Sequence, residues 1–466
     1  MPEHVESPAQ ALVEGLDLEV LGHWIEEQRW YASKSRHVTA IEIDEWVQIA
    51  EAPPLVLALL QARFASGSHE LYQLPLTFLP VAELGARRPI VAGGEFGAVD
   101  AVAEPELLRD LLRRIDAETP LETSEGCLRF QRVELSGPLP LEAPVRPIGV
   151  EQSNSSIVFG DQVVLKVFRK LEPGINPELE LLQFLTRQGF ANIAPLLGWY
   201  EYDGRSFSAT LGVAQRFFPD AAGGWELALE EISTRPAEFL AELGSLGRVT
   251  AELHNALASD SSDPAFSPEE PSPESLSLLT ASIDEDIERI FVRLPDDERV
   301  AGIAGRGQDV RERIAMRSQL GVGGRSIRTH GDYHLGQTLH MSGGWVIIDF
   351  EGEPARPLFE RRQKRSPLRD VASMLRSFAY ATSATAIMRG KPAPAQFEER
   401  ARTTFLEHYF SSIDPALLPA GESGILNLLS IFELEKAIYE LQYELDNRRD
   451  WLPIPVAGIA RLLESD

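Results

Sequence analysis

The fold of this chain is decided by Thr329-His330-Gly331-Asp332-Tyr333-His334-Leu335-Gly336-Gln337, followed by Val346-Ile347-Ile348-Asp349-Phe350-Glu351. Residues 339–341 and 345–350 read as two strands joined by a Gly-Gly turn, and such a hairpin would bring an amide and two carboxylates to one edge. Phosphoryl transfer needs these groups, because it uses a base for the acceptor hydroxyl and oxygen ligands for Mg²⁺. The stretch therefore predicts a kinase.

Each polar residue of this stretch has an expected role. Asp332 lies where a kinase catalytic loop carries the carboxylate that orients the acceptor hydroxyl and takes its proton. Gln337 and Asp349 offer oxygen ligands suited to Mg²⁺, and Glu351 is close enough in sequence to assist. Either aspartate alone would more often be an ordinary turn or strand-end residue. Their spacing, with an apolar strand between them, favours the kinase interpretation.

The two histidines beside Asp332 leave two interpretations open. A histidine before the catalytic aspartate, here His330, more often braces the loop through a backbone hydrogen bond. His334 faces the same way as Asp332 if the segment is extended, so it is a candidate contact for the acceptor sugar.

Lys166 lies inside the apolar strand of residues 163–168, and a buried lysine is costly unless it is paired. A strand lysine in kinases holds the ATP phosphates while a helix glutamate fixes it. We expect Glu180 to be that glutamate, in preference to Glu178. A lysine on a solvated strand face is the commoner alternative for such a residue taken alone.

A glycine-rich phosphate loop is missing, and Glu151-Gln152-Ser153-Asn154-Ser155-Ser156 stands in its place. Hydroxyls and backbone N–H groups in a hairpin turn can cradle phosphates without glycine, which makes Ser153, Asn154, Ser155 and Ser156 candidate ATP ligands. An ordinary polar turn would have the same sequence.

A helix predicted over residues 425–445 carries Lys436, Tyr439 and Tyr443 near one stripe. Tyrosines suit stacking and hydrogen bonding to a sugar, but such a stripe is more often a packing face. Trp225 and Trp451 have the same two interpretations.

Composition limits the classes of function. A chain of 466 residues predicts two or three packed units. The net charge of −27, from 71 acidic and 44 basic side chains, disfavours nucleic acid and anionic membranes as partners. Cys127 is the single cysteine, which excludes an intrachain disulfide. With no signal-peptide pattern and no long apolar run, we expect a soluble cytoplasmic protein.

Three regions are expected along the chain. Residues 1–90 predict a small unit of a helix and antiparallel strands, and residues 91–217 include the strong hairpin signal of 157–168 and a nucleotide-binding sheet. Residues 218–466 predict a mostly helical lobe that carries the catalytic loop.

Taken together, these motifs resemble the bacterial maltokinases, which include the kinase part fused to some trehalose synthases. The resemblance covers essentially the whole chain. Besides the catalytic and phosphate-loop segments quoted above, it rests on Gln28-Arg29-Trp30-Tyr31-Ala32, Leu165-Lys166-Val167-Phe168-Arg169, Gly174-Ile175-Asn176-Pro177, Ile348-Asp349-Phe350-Glu351-Gly352-Glu353-Pro354, Ser366-Pro367-Leu368-Arg369-Asp370-Val371-Ala372, Lys436-Ala437-Ile438-Tyr439-Glu440 and Trp451-Leu452-Pro453-Ile454-Pro455.

The resemblance implies an α+β fold, bilobal and like that of eukaryotic protein kinases, with an N-terminal cap subdomain. It implies ATP- and Mg²⁺-dependent phosphorylation of maltose at the anomeric hydroxyl, giving maltose 1-phosphate and ADP for α-glucan and glycogen synthesis. A trehalose synthase is the possible protein partner. The implied site residues are those named above: Asp332 as base, Gln337 and Asp349 for Mg²⁺, Lys166 with Glu180 for the phosphates, and His334, Glu351, Arg369, Lys436, Tyr439 and Tyr443 for the sugar.

Two positions depart from the family pattern. Tyr333 stands where leucine is common, and Gly223 stands where an acidic residue usually precedes the glycine-tryptophan pair, here Gly224-Trp225. The main alternative is a related sugar kinase with another acceptor, such as glucosamine. A catalytically silent binding module would be expected to lose Asp332, Gln337, Asp349 or Lys166, which are all present. An antibiotic or choline phosphotransferase would share the loop but not the Trp30 and Trp451 motifs.

Overall fold

The computed structural model describes residues 8–464, apart from residues 32, 35, 86, 94, 135–136, 149–152, 319–322 and 355. The chain divides into two compact units. Unit 1 comprises Met1–Gln183 and Ala194–Pro219, and unit 2 comprises Phe184–Ile193 and Asp220–Asp466. Both units combine helices with antiparallel sheet, so the predicted α+β class is confirmed.

Unit 1 is mostly sheet. Its elements are α1 (Pro8–Glu14), α2 (Leu18–Glu27), β1 (Val38–Glu51), β2 (Pro54–Phe64), β3 (His69–Pro80), β4 (Val91–Gly93), β5 (Phe96–Asp100), α3 (Arg109–Ala117), β6 (Leu121–Glu122), β7 (Gly126–Arg132), β8 (Val145–Pro147), β9 (Asn154–Phe159), β10 (Val163–Phe168), β11 (Lys170–Leu171), the start of α4 (Pro177–Arg187), β12 (Leu196–Gly204) and β13 (Ser208–Arg216).

The first sheet, here the cap sheet, has the strand order β1-β2-β3-β5-β4, with β11 paired to β3. Helix α2 begins at Asp17, whose carboxylate accepts from the N–H groups of Glu19 and Val20. Its Leu21 and Ile25 are buried in the core beside the apolar side chains of β2 and β3. The sheet continues to Asp100, ten residues beyond the boundary expected at residue 90, because β5 completes its pairing.

The second sheet, here the nucleotide sheet, has the order β6-β7-β12-β13-β10-β9-β8. Lys166 lies on β10, opposite Ser156 of β9 and Val213 of β13. Buried Gln73 of the cap sheet donates to the carbonyls of Phe168 and Leu211, at 2.8 and 2.7 Å. The two sheets of unit 1 are therefore joined by buried hydrogen bonds.

Unit 2 is mostly helical. Its elements after α4 are β14 (Ala222–Gly223), α5 (Gly224–Thr234), α6 (Pro236–Leu257), α7 (Pro273–Phe291), α8 (Gly307–Ser318), β15 (Thr338–Met341), β16 (Gly344–Ile347), α9 (Leu358–Arg361), α10 (Leu368–Arg389), α11 (Phe397–Ser412), α12 (Glu422–Asn447) and α13 (Pro453–Glu464).

Helix α10 lies at the centre of unit 2, where it contacts α5, α11, α12 and α13. It starts after Pro367 and ends at Gly390, whose φ of 63° allows the N–H to turn back to the carbonyls of Thr385 and Ala386. The three strands β14, β15 and β16 form a small sheet that presents the catalytic loop. Among the described helices, none has both the length and the apolar character needed to cross a membrane.

Candidate active site

The loop before β15 is held by a carboxylate from α10. Asp370 is buried, and it accepts from the backbone N–H groups of His330 at 2.8 Å and Gly331 at 3.0 Å. His254 of α6 lies 3.3 Å from the same carboxylate. Burial works to raise the pKa of Asp370, but the contacts with His254, His330 and Gly331 hold it below its usual range. The loop is thus fixed by an ionised group.

His330 braces the loop. Its Nε2 lies 2.9 Å from the carbonyl of Ile348, and its Nδ1 accepts from the N–H of Asp332 at 3.4 Å. The ring connects the catalytic loop to the end of β16 and is almost fully buried. Of the two interpretations left open by the sequence, the brace describes His330.

Tyr333, one of the two departures from the family pattern, has a structural role. Its buried hydroxyl shares a hydrogen bond of 2.8 Å with Thr250 of α6. Leucine could not make this bond, so tyrosine at this position adds a polar anchor between the loop and α6.

Asp332 faces two side chains of unit 2. Lys436 Nζ lies 3.5 Å from Oδ1, and His334 Nε2 lies 3.8 Å from Oδ2. Burial opposes the charge of Lys436, but neighbouring carboxylates, Asp332 first among them, raise its pKa. Burial lowers the pKa of His334. The positive charge of Lys436 lowers this pKa further, whereas the negative charge of Asp332 acts to raise it. Asp332 therefore lies between a charged ammonium and a neutral imidazole at neutral pH.

Gln337 and Asp349 are brought together by the hairpin. The side-chain amide nitrogen of Gln337 donates to Asp349 Oδ2 at 2.7 Å, and the backbone carbonyl of Gln337 accepts from the N–H of Ile348. Asp349 follows β16 with a φ of 64°, in the left-handed region, where its backbone leaves the sheet. The amide nitrogen of Gln337 makes this contact; its amide oxygen, together with the Asp349 carboxylate, is a donor set that fits a hard divalent cation.

A cavity of ≈ 280 Å³ lies in unit 2 beside the catalytic loop. His334 and Lys436 connect it to Asp332, and Tyr439 and Tyr443 lie on its α12 side. The described residues that line it are Trp225, His334, Gly336, Ser373, Ser377, Tyr380, Lys436, Tyr439, Glu440, Tyr443, Glu444, Arg448 and Trp451. Five of them are tryptophan or tyrosine, which offer flat apolar faces for stacking and polar groups for hydrogen bonds.

Trp225 reaches this cavity because α5 begins very close to the catalytic loop. A Cβ on Gly224 would lie 2.1 Å from Thr338 Oγ1 and 2.7 Å from the Leu335 carbonyl. Only glycine permits this approach. The sequence shows the motif Gly223-Gly224-Trp225, but the position of Trp225 at the cavity depends on the pairing of β14 with β15.

Lys166 is paired, as expected for a buried strand lysine, but the glutamate that it contacts is Glu178, whereas Glu180 was preferred. Its ammonium donates to Glu178 at 2.8 Å, and both side chains are buried. The helix starts with Asn176 accepting from the N–H of Glu178. Residues 178 and 180 point in different directions from the first turn, and the contact of Lys166 with Glu178 brings the glutamate that was not preferred to the lysine.

The expected phosphate-loop residues lie mainly on a strand. Asn154, Ser155 and Ser156 belong to β9 and pair with β10, and Ser153 is exposed just before it. Ser155 accepts from Arg169 at 2.8 Å, which is an internal contact of the sheet. The expectation of a hairpin turn is corrected for these three residues, because the pairing of β9 with β10 extends back to Asn154. Glu151 and Gln152 lie outside the described residues.

Arg369 and Glu351 are placed differently from the other expected sugar contacts. Arg369 donates to Glu435 at 2.6 Å and lines a separate, smaller cavity. The carbonyl of Glu351 accepts from Arg361 at 3.0 Å. Neither belongs to the described lining of the aromatic cavity. Arg369 therefore lies apart from the aromatic cavity, while its neighbour Asp370 holds the catalytic loop.

Sequence reasoning missed several residues of the site. The missed residues are Asp370 and His254, which hold the loop, and Ser373, Ser377, Tyr380, Glu440, Glu444 and Arg448, which line the cavity. Ser377 and Tyr380 follow Ser373 at helical spacing on α10, which is the signal that could have found them.

Comparisons with known proteins place the chain in a family. Residues 24–101 match the maltokinase N-terminal cap domain, and residues 144–390 match the phosphotransferase enzyme family. Glucosamine kinase from Mycolicibacterium smegmatis is 28% identical in an alignment 337 residues long, which covers 68% of this chain and 79% of that protein. Glucosamine kinase from Streptacidiphilus jiangxiensis is 25% identical in an alignment 339 residues long, which covers 69% of this chain and 74% of that protein.

Solved structures share the fold. A glucosamine kinase in complex with glucosamine, ADP and inorganic phosphate has a TM-score of 0.69 at 18% identity, covering 97% of this chain and 98% of the other. A second crystal form of glucosamine kinase has a TM-score of 0.72 at 18% identity, covering 98% and 99%. The predicted kinase-like fold with an N-terminal cap is confirmed. The chain belongs to the phosphotransferase enzyme family and carries the N-terminal cap domain of the maltokinases.

Proposed function

We propose that this chain phosphorylates maltose at its anomeric hydroxyl with ATP, producing maltose 1-phosphate and ADP. The observation that carries the proposal is the aromatic cavity joined to Asp332 through His334 and Lys436. Aromatic side chains stack on the apolar faces of sugar rings, and the polar groups at one end can orient a hydroxyl. The maltokinase cap domain supports maltose as the acceptor.

In this mechanism Asp332 orients the anomeric hydroxyl and accepts its proton as the sugar oxygen bonds to the γ-phosphorus. The bond between that phosphorus and the bridging oxygen of ADP breaks, and the electron pair leaves with ADP. Lys436 stabilises the charge that develops beside Asp332, since its pKa is raised and it stays protonated. His334, whose lowered pKa keeps it neutral, is a hydrogen-bond donor to the sugar.

Two further groups are proposed to hold the nucleotide. Lys166, fixed by Glu178, contacts the phosphates of ATP. Gln337 and Asp349 would hold Mg²⁺, whose contribution is to neutralise the charge of the transferred phosphoryl group.

Glucosamine is the second candidate acceptor, because two relatives of this chain are glucosamine kinases. Steady-state assays of ADP formation with maltose and with glucosamine, side by side, distinguish the two. We expect the higher kcat/KM with maltose and a phosphomonoester at the anomeric carbon in the product's phosphorus NMR spectrum. No turnover of maltose would refute the assignment, and turnover of glucosamine alone would establish the alternative.

A further inference from the structure

Two carboxylates line the aromatic cavity, and an arginine holds the first of them from inside the protein. Glu440 accepts from Nε and Nη2 of Arg376, at 2.9 and 2.7 Å. Arg376 is 1% exposed, so this pair lies in low dielectric and its charges stay together. The carboxylate of Glu440 is therefore already neutralised where it meets the cavity.

The second carboxylate, Glu444, is buried and is held by a partly exposed arginine. Glu444 accepts from Nε and Nη2 of Arg448, at 3.0 and 2.6 Å, and from the hydroxyl of Tyr380 at 3.2 Å. The Arg448 guanidinium also lies over the rings of Tyr443 and Trp451, 5.2 and 4.7 Å from their centroids. A planar guanidinium can make both contacts at once, so one residue aligns the aromatic wall and occupies Glu444.

Lys436 adds a positive charge at the catalytic end of the same cavity. An ammonium group on a sugar needs a carboxylate that can accept its hydrogen bonds, and it is repelled by a neighbouring ammonium. Here the two lining carboxylates are bound to arginines. We infer that Arg448, by occupying Glu444, makes the cavity select neutral sugars over amino sugars. The inference rests on the proposed role of this cavity as the acceptor site.

The test compares glucose with glucosamine, which differ by one hydroxyl and one amino group, in binding titrations at mildly acidic pH followed by tryptophan fluorescence. Trp225 and Trp451 line the cavity and supply the signal. We expect the wild-type protein to bind glucosamine no more tightly than glucose. Arg448→Gln releases Glu444 and should shift the ratio of the two dissociation constants toward glucosamine by roughly tenfold to a hundredfold.

Three matched variants separate selection from a loss of structure. Arg448→Lys keeps the positive charge and should retain the wild-type ratio. Glu444→Gln combined with Arg448→Gln should remove the gain, because no carboxylate is left to bind the ammonium. Arg289→Gln, which changes an exposed pair with Asp286 outside the cavity, should leave the ratio unchanged.

Several results would overturn the inference. They are a wild-type preference for glucosamine, a ratio unchanged in a folded Arg448→Gln protein, a gain that persists without Glu444, or no binding of either sugar. If Arg448→Gln does not fold, the ratio of dissociation constants of the wild-type protein still tests whether the cavity selects neutral sugars. A failure to phosphorylate maltose would refute the proposed function instead, because the binding ratio is measured without turnover.

Discussion

At the scale of single residues, Asp332 carries the proposed chemistry. Asparagine has nearly the same shape but accepts no proton at neutral pH, so we expect Asp332→Asn to lower kcat by roughly 10²–10⁴-fold. ATP binding should survive, because Asp332 is assigned to the acceptor. Steady-state assays and an ATP titration of the same protein measure the two effects.

The matched control is Asp446→Asn, which alters a partly exposed ion pair with Arg293. It should leave kcat within about twofold of wild type, since exposed pairs contribute little. Near-normal turnover by Asp332→Asn would contradict the assignment of the base. A parallel loss of ATP binding would indicate that the loop had been displaced.

At the scale of elements, α6 determines how firmly the loop is held. Its Thr250 and His254 contact Tyr333 and Asp370, and it reaches them by packing closely on α11. A Cβ on Gly247 would lie 2.3 Å from the Phe405 carbonyl, a backbone atom that cannot turn aside. Gly247→Ala should therefore destabilise unit 2 by about 1–3 kcal/mol, although alanine is the better helix former.

Chemical denaturation measures this change, and Gly302→Ala is its control. A Cβ on Gly302 would lie 3.6 Å from Val456, an ordinary contact, so we expect a change of about 0.5 kcal/mol or less. Equal stabilities for Gly247→Ala and wild type would mean that α6 and α11 can separate without loss, contrary to their close packing.

How much of the structure can be predicted from the sequence depends on how far apart along the chain the interacting residues lie. The β15–β16 hairpin was predictable because its Gly-Gly turn and apolar strands are local, and the contact of Gln337 with Asp349 follows from it. The choice between Glu178 and Glu180 was not local, since both lie in one helical turn. Asp370 likewise serves the catalytic loop only because α10 packs beneath it.

At the scale of the whole molecule, the cap sheet shares one compact unit with the nucleotide sheet. Residues 1–90 were expected to form a separate unit, but the cap sheet extends to Asp100 and includes β11, which follows the nucleotide strand β10. Both sheets belong to unit 1. A local pattern cannot reveal this, because the pairing of β11 with β3 spans the chain between them. We therefore expect the two sheets to unfold together.

Arg169 provides the test of that cooperativity. It is 1% exposed, donates to Asp100 of the cap sheet at 2.7 Å and to Ser155 of the nucleotide sheet at 2.8 Å, and lies over Trp30. Arg169→Met removes the charge that pairs with the largely buried carboxylate of Asp100, so the free energy of unfolding of unit 1 should fall by about 3–5 kcal/mol. The exposed pair of Arg129 with Asp203 gives the control, Arg129→Met, with almost no change. Tryptophan fluorescence, to which Trp30 contributes from the cap sheet, and far-UV circular dichroism should report one lowered midpoint for the unfolding of unit 1. Separate transitions would mean that the cap folds alone.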